Sequence, residues 1–510
     1  MLAAGAGVAA AAPILSACGG RATTTGQPVV GAGSGTPKRG GTVRFAFSGA
    51  GAAESLDPFG GGSPADYART WVVYDELFAL IGGVATPRLA ESVETAPDGR
   101  SFVLNLRQGV TWHDGSPFRA ADVQYTLNYL SSPDRPYPSE LSAFLDIPAV
   151  RIRDDRTLEV PTLMPVGDPA TLFAGAGMRV IKDGTKTFDV ASAVGTGSYR
   201  FADFAPGQQA RLTRYDQHWD GAPYADELVV LSIDDPSARV NAVRAGQADW
   251  ASDIPYTVAR TGPGGDGLEI RSAGEGNRTG LGFVLNTTVA PFGDARARRA
   301  VRLAVDRQAM VDRVLLGYGS IGNDLFGNGA QYFAKDVAPL ARDVDTARRL
   351  LAEAGATGAP VVVRSADYEA GLNSSTDLFV EQLRELGLDA RSQLVSVPEY
   401  FAPDAIATVQ AIAFPLGPFP LTVIYSRSAA YPSLALPDPE LQQAVATAFA
   451  TPDEATRAKA WADAQAVMTD RGNSVVWGLA DTLSLSRTNV AGIQVRDSAK
   501  YPYLGKAGLA

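Results

Sequence analysis

The side chains best suited to acid–base, thiol or soft-metal chemistry near neutral pH are scarce: two histidines and one cysteine in 510 residues. His113 sits in Trp112-His113-Asp114-Gly115 and His218 in His218-Trp219-Asp220-Gly221, far from each other and each without a second histidine at ligand spacing. The first tetrad reads as a hairpin turn, with Gly115 free to take a positive φ and Trp112 packed over the core. No catalytic or metal role is expected for either histidine. A single cysteine, Cys18, rules out an internal disulfide, a CxxC redox pair and a cysteine-rich zinc site. The 55 Asp and Glu residues are plentiful but scattered over turns and helix starts, where Asp caps and solvates. No Gly-x-Ser-x-Gly elbow, His-Glu-x-x-His pair or phosphate-binding P-loop occurs. Gly262-Pro263-Gly264-Gly265-Asp266-Gly267 matches the letters of a dinucleotide loop, but Leu268-Glu269-Ile270 after it reads as a strand, so it is expected to be a surface turn. Neither cofactor nor metal is expected. An extracytoplasmic hydrolase stays open as an alternative, because a glycosidase needs only two carboxylates.

The elements that would position any such residues follow from length and patterning. A chain of 510 residues points to two or three domains or one large two-lobed fold. At 45% hydrophobic and 20% charged it has a globular composition. Its net charge of −10 argues against a partner bound through phosphate neutralisation, so no nucleic acid is expected. Thr42 to Phe47 alternates like a half-buried strand, and Phe102, Leu104 and Leu106 share one face of another. Asp294 is placed to cap a helix with an Ala297, Ala300, Val301, Ala304, Val305 stripe, which leaves Arg298, Arg299 and Arg302 facing out. Further helices are expected over 345–354, 376–386 and 453–468, with strands at 281–285, 361–364 and 483–487 among them. The class is α/β or α+β.

Leu2 to Leu15 is an apolar run of small residues, too short to span a bilayer and of a length that suits a secretory h-region. It ends in Leu15-Ser16-Ala17-Cys18-Gly19, which resembles a bacterial lipobox, cleaved before Cys18 with the thiol then acylated. Gly19 to Gly40, rich in Gly, Thr, Ser and Pro, reads as a flexible tether. No Lys or Arg precedes Arg21, so the expectation is that translation starts upstream of Met1, with an arginine-bearing n-region of which a twin-arginine pair is one form.

The order of several segments resembles the peptide/nickel-type (family 5) solute-binding proteins of ATP-binding-cassette (ABC) importers. Gly40-Gly41-Thr42-Val43-Arg44 and Ser55-Leu56-Asp57-Pro58 open the resemblance, followed by Val73 to Leu77 and Pro87 to Ser92. Phe102 to Val110 then leads into Trp112-His113-Asp114-Gly115-Ser116-Pro117-Phe118 and Ala120-Ala121-Asp122-Val123, the most specific block. Gly195 to Tyr199, His218 to Tyr224, Ala245 to Asp249, Asn286 to Phe292, Arg298 to Arg307 and Ala347 to Gly355 continue it.

This resemblance implies a two-lobed, type II periplasmic-binding-protein-like α/β fold with an extra subdomain in the first lobe. Residues 1–17 would be a signal-peptide remnant and 18–39 the lipidated cysteine and tether. Lobe I would comprise 40–67, 188–283 and 478–510, the subdomain 68–187 and lobe II 284–477. A solute would bind in the cleft and the lobes would close over it, with no bond broken. The implied partners are a small-molecule or oligopeptide-like ligand, permease and ATPase subunits, and the membrane through a lipid anchor. The protein would be a monomer on the extracytoplasmic face of the cell membrane, with a ligand sensor on the same fold as the other non-enzymatic reading. Cleft positions implied by the resemblance are Tyr137, Tyr400, Phe414, Phe419 and Trp477. Peptide-binding relatives carry an Asp in the segment matching Phe414 to Leu421, and here that segment has no carboxylate. An unpaired buried ammonium costs several kcal/mol, so a neutral, apolar, glycosidic or blocked-peptide ligand is expected over free-amine peptides.

Overall fold

The computed structural model describes residues 29–31, 33, 35–132, 135, 139–367, 369–400 and 402–510. Cys18 and Tyr137 lie outside the described residues. Among the described residues, no helix is long and apolar enough to cross a membrane.

Three sheets carry the fold. The first has eight strands in the order Val29–Val30, Leu268–Ser272, Leu483–Arg487, Trp250–Ala251, Thr42–Phe47, Glu227–Ser232, Gln209–Arg214, Tyr199–Ala205. Thr42–Phe47 lies centrally and pairs in parallel with both neighbours, Val43 opposite Leu228 and Phe45 opposite Trp250. A strand so placed is covered on both faces, which is why Val43, Phe45, Ala46 and Phe47 are all buried. The second sheet has six strands in the order Gly319–Ile321, Ser474–Ala480, Thr279–Leu285, Ala411–Leu416, Pro360–Ala366, Asp389–Val395. Helices Ala295–Ala304, Arg307–Val314 and Leu372–Leu386 pack on it around Phe283, Phe379 and Trp477. The third is an antiparallel four-stranded sheet, Ala90–Thr95, Ser101–Leu106, Thr157–Pro161, Arg151–Asp154, with its own core around Phe102, Trp112 and Phe173.

The chain passes between the first two sheets through adjacent short links, 273–278 on the way out and 481–482 on the way back. They are tied together. The Ala273 amide donates to Thr482 O at 3.1 Å, Arg278 Nε reaches Asp481 Oδ1 at 2.8 Å, and the Tyr256 hydroxyl donates to Asp481 O at 2.8 Å. Two short connectors lying side by side and running in opposite directions have the geometry of a hinge.

The expected elements are present with shifted ends, for instance helices at Val344–Glu353 and Glu454–Arg471, the latter capped by Asp453. One expectation is corrected. Asp294 does cap Ala295–Ala304, but Arg298 and Arg302 are buried, not outward. Arg298 donates to the Phe292 and Gly293 carbonyls, and Arg302 pairs with the fully buried Asp324 at 3.1 Å. Arginine can lie inside when a fixed carboxylate or carbonyl meets its planar fork.

Candidate ligand-binding site

The bodies built on the first and second sheets touch each other at several points. Beside the hinge, Lys500 Nζ lies 2.6 Å from Glu369 Oε1 of the second body and 3.2 Å from Asp253 Oδ2 of its own. At the opposite rim the Gln331 amide donates to Gly83 O at 3.2 Å, and the Gly167 amide to Phe449 O at 2.7 Å.

Between these contacts lies a cavity of about 300 Å³. Phe59, Tyr67, Trp71, Arg179, Asp497 and Tyr501 line it from one side and Phe419 from the other. Helix Pro64–Thr70 aims two of those rings. Ser63 and Asp66 form its capping box, and Asp66 together with Glu54 holds the buried Arg69. Spaced by four, Tyr67 and Trp71 therefore emerge on one helical side. The C-terminal segment returns to lay Tyr501 on both rings, 4.7 Å from Tyr67 and 5.2 Å edge-on to Trp71. Arg179 stands over the Trp71 ring at 5.5 Å and donates through Nη2 to Pro58 O at 2.6 Å.

The site has unused polar capacity. Arg179 Nε and Nη1 and Trp71 Nε1 are buried without a hydrogen-bond partner, and the buried Asp497 carboxylate lies near the Arg179 and Arg496 charges. Burial raises the Asp497 pKa, and burial together with the Asp497 charge raises that of neighbouring Glu76. Flat rings, a guanidinium and a carboxylate make a recognition surface.

Of the expected cleft residues, Phe419 lines this cavity. Phe414 instead packs edge-on against Phe326 at 6.0 Å. Tyr400 is fully buried in a cluster with Ile406 and Ile412, its hydroxyl donating to Ala413 O. Trp477 is fully buried in the core of the second sheet. The sequence reading missed Tyr67, Trp71, Arg179, Asp497 and Tyr501. An aromatic pair at i, i+4 behind a Ser-x-x-Asp cap was a visible signal for the first two.

Both histidine rings are buried and held by neighbouring groups. His113 Nδ1 accepts the Gly195 amide at 3.2 Å, so Nε2 carries the proton and donates to Gly197 O at 2.9 Å. Burial pushes its pKa down to about 4. His218 Nε2 lies 3.4 Å from Asp75 Oδ2, which the Trp219 indole also reaches at 2.8 Å. Among the described residues, no group of three or more His, Cys, Asp or Glu is gathered as metal ligands. The Gly262 to Gly267 loop follows helix Tyr256–Thr261 and precedes strand Leu268–Ser272, the reverse of a dinucleotide loop's order.

Known proteins resemble this chain in sequence and in fold. Residues 84–414 match the family described as bacterial extracellular solute-binding proteins, family 5 Middle. The glutathione-binding protein of Salmonella typhi is 25% identical over 344 residues, 66% of either chain. Heme-binding protein A of Haemophilus influenzae is 26% identical over 321 residues, 56% of this chain and 57% of its own. The chain thus spans about two thirds of the length of the first of these curated relatives. Among solved structures, an ABC transporter substrate-binding protein of Listeria monocytogenes superimposes with a TM-score of 0.79 at 18% identity, covering 92% of this chain and all (100%) of that one. The Brucella suis NikA protein in complex with Fe(III)-EDTA gives 0.79 at 21%, with coverage of 92% and 100%. A two-lobed body hinged by paired connectors, together with a match over residues 84–414, makes this chain a member of the family 5 bacterial extracellular solute-binding proteins.

Proposed function

We infer that the protein is the solute-capturing component of an ABC importer, shutting its lobes over one small ligand and presenting the closed form to a membrane permease. The observation that carries this reading is the cavity of about 300 Å³ lined from both sides of a hinged groove. Only the closed state touches a ligand on both faces, so the ligand shifts the equilibrium toward closure. The lobes proposed on sheet membership are those expected from the sequence, with the crossings drawn at 273–278 and 481–482, so that strand Ser474–Ala480 falls wholly in lobe II. Lipid attachment at Cys18 and an extracytoplasmic location complete the proposal, and mass spectrometry of the membrane-extracted protein tests the acylation.

Asp497 alters the expectation about ligands. The Phe414 to Leu421 segment has no carboxylate, yet the C-terminal segment brings a buried one, Asp497, into the cavity wall beside the Arg179 and Arg496 guanidinium groups. A ligand ammonium has a counter-charge available there, and a ligand carboxylate has Arg179. The proposed ligand is a compact polar solute with a flat or peptide-like face. Calorimetric titration with di- to pentapeptides, their N-acetylated forms and simple glycosides is the test. Trp71→Ala and Tyr501→Ala are expected to weaken the best binder roughly 30-fold each, the effect of about 2 kcal/mol for a central aromatic contact. Unchanged affinity in both would remove the ligand from this cavity. Turnover of chromogenic glycosides or peptides would replace capture by hydrolysis.

A further inference from the structure

The extra subdomain meets lobe II along one continuous seam, well away from the hinge. Asp168 caps helix Pro169–Gly175, and this helix lies against helix Leu421–Ala430. Just before it the Gly167 amide donates to Phe449 O at 2.7 Å, and Arg457 Nη1 reaches Gly167 O at 3.4 Å. Phe449 stacks on Phe144 at 5.8 Å with ring planes 9° apart, so a lobe II ring is packed into the subdomain core. All of these partners are protein groups; the C-terminal end of helix Pro169–Gly175 reaches the ligand cavity through Ala174 and Gly175, whereas Gly167, Phe144, Phe449 and Arg457 do not line it.

Gly167 makes the approach possible. A Cβ there would fall 1.9 Å from Thr451 O and 2.2 Å from Thr451 C, both main-chain atoms of the opposite lobe. Its φ lies outside the left-handed region, so within its own lobe the backbone accommodates alanine. The obstacle to a side chain at this position is closure itself.

We propose that Gly167, Phe449 and Phe144 form a ligand-independent clasp that sets how much of the protein is closed, and that these residues fix ligand affinity without touching the ligand. The proposal rests on capture by lobe closure. An apparent dissociation constant equals the intrinsic one divided by the closed fraction, so a residue that changes only that fraction changes affinity by the same factor.

The test uses the full chain without ligand, comparing small-angle scattering of wild type, Gly167→Ala and Gly62→Ala. Gly62 is the control, because an added methyl there meets nothing within 4 Å. The wild type and control are expected to match the closed structure, and Gly167→Ala to give a larger radius of gyration with its melting temperature within a few degrees of wild type. Phe449→Ala, which removes the stack without adding a wedge, is expected to open the protein part-way. It keeps the test informative should Gly167→Ala misfold. Identical scattering from wild type and both clasp variants would overturn the proposal. Calorimetric binding by the wild type reads ligand capture separately, so a failed clasp leaves that reading standing. Conversely, a wild type that binds no solute, yet opens on Gly167→Ala, would retain the clasp and remove the capture function.

Discussion

Replacing Asp324 by alanine is expected to destabilise lobe II by about 3–5 kcal/mol, the range for leaving buried charges without their partner. Its carboxylate is fully buried, accepts from Arg302 Nε at 3.1 Å, and is gripped by Arg307 Nη2 at 2.7 and 2.8 Å. Both arginines keep carbonyl partners, Arg302 with Thr469 O at 2.6 Å and Arg307 with Arg302 O at 3.1 Å. Those carbonyls satisfy N–H groups but cannot neutralise two cations. Asp324 also has φ 65°, a conformation that Asn tolerates and Ala does not. Asp324→Asn should therefore recover the backbone share of the loss and not the charge share. Thermal unfolding would read the alanine variant as a fall in Tm on the order of 10 °C, with asparagine between it and wild type. A loss below 1 kcal/mol for alanine would mean that the two arginines find counter-charges elsewhere.

Acidification produces the second large effect, through His113. Its folded pKa of about 4 lies below the ordinary 6.5, so the unfolded chain binds the proton more tightly. The stability it contributes is complete above pH 6.5 and is lost as the pH falls through that value toward 4. The total is about 3 kcal/mol, at 1.36 kcal/mol per pKa unit. Protonating Nδ1 removes the acceptor that the Gly195 amide uses and puts a charge beside the Tyr215 ring, 5.0 Å away. Glu76 and Asp497 work in the opposite direction, since their raised pKa values make the folded form the better proton binder as the pH drops. The informative measurement is thus a difference: urea unfolding of wild type and His113→Gln at pH 7.5 and pH 4.5. Wild type is expected to lose the larger share over that interval, and parallel losses in the two proteins would acquit His113.

Local signals read well from sequence. Trp112 to Gly115 is a turn as expected, with the Gly115 amide donating to Trp112 O at 2.8 Å and Gly115 at φ 84°. Asp453 starts its helix and Gly387 stops another where the chain itself dictates. What could not be read was which side of an element faces which neighbour. Arg302 carries a polar-face signature, and Asp324 and the Thr469 carbonyl, both brought in from elsewhere in the chain, turn it inward. Tyr400 and Trp477 look like Tyr67 and Trp71 as letters, yet the first pair is packed behind the second sheet's strands and the second stands at its lobe's rim. Asp497 and Tyr501 lie in a segment without regular periodicity, so nothing in their spacing announced a shared cavity.

Strand Leu483–Arg487 sits between Leu268–Ser272 and Trp250–Ala251 in the eight-stranded sheet, although almost the whole chain precedes it. As the polypeptide is synthesised from its N-terminus, the second sheet has every strand it needs once residue 480 has emerged, whereas the first holds an open slot until residue 487 follows. The earliest-made half of the molecule is therefore the last to mature, and its unfilled slot is the stretch of edge most open to chaperones and to mispairing in the interval.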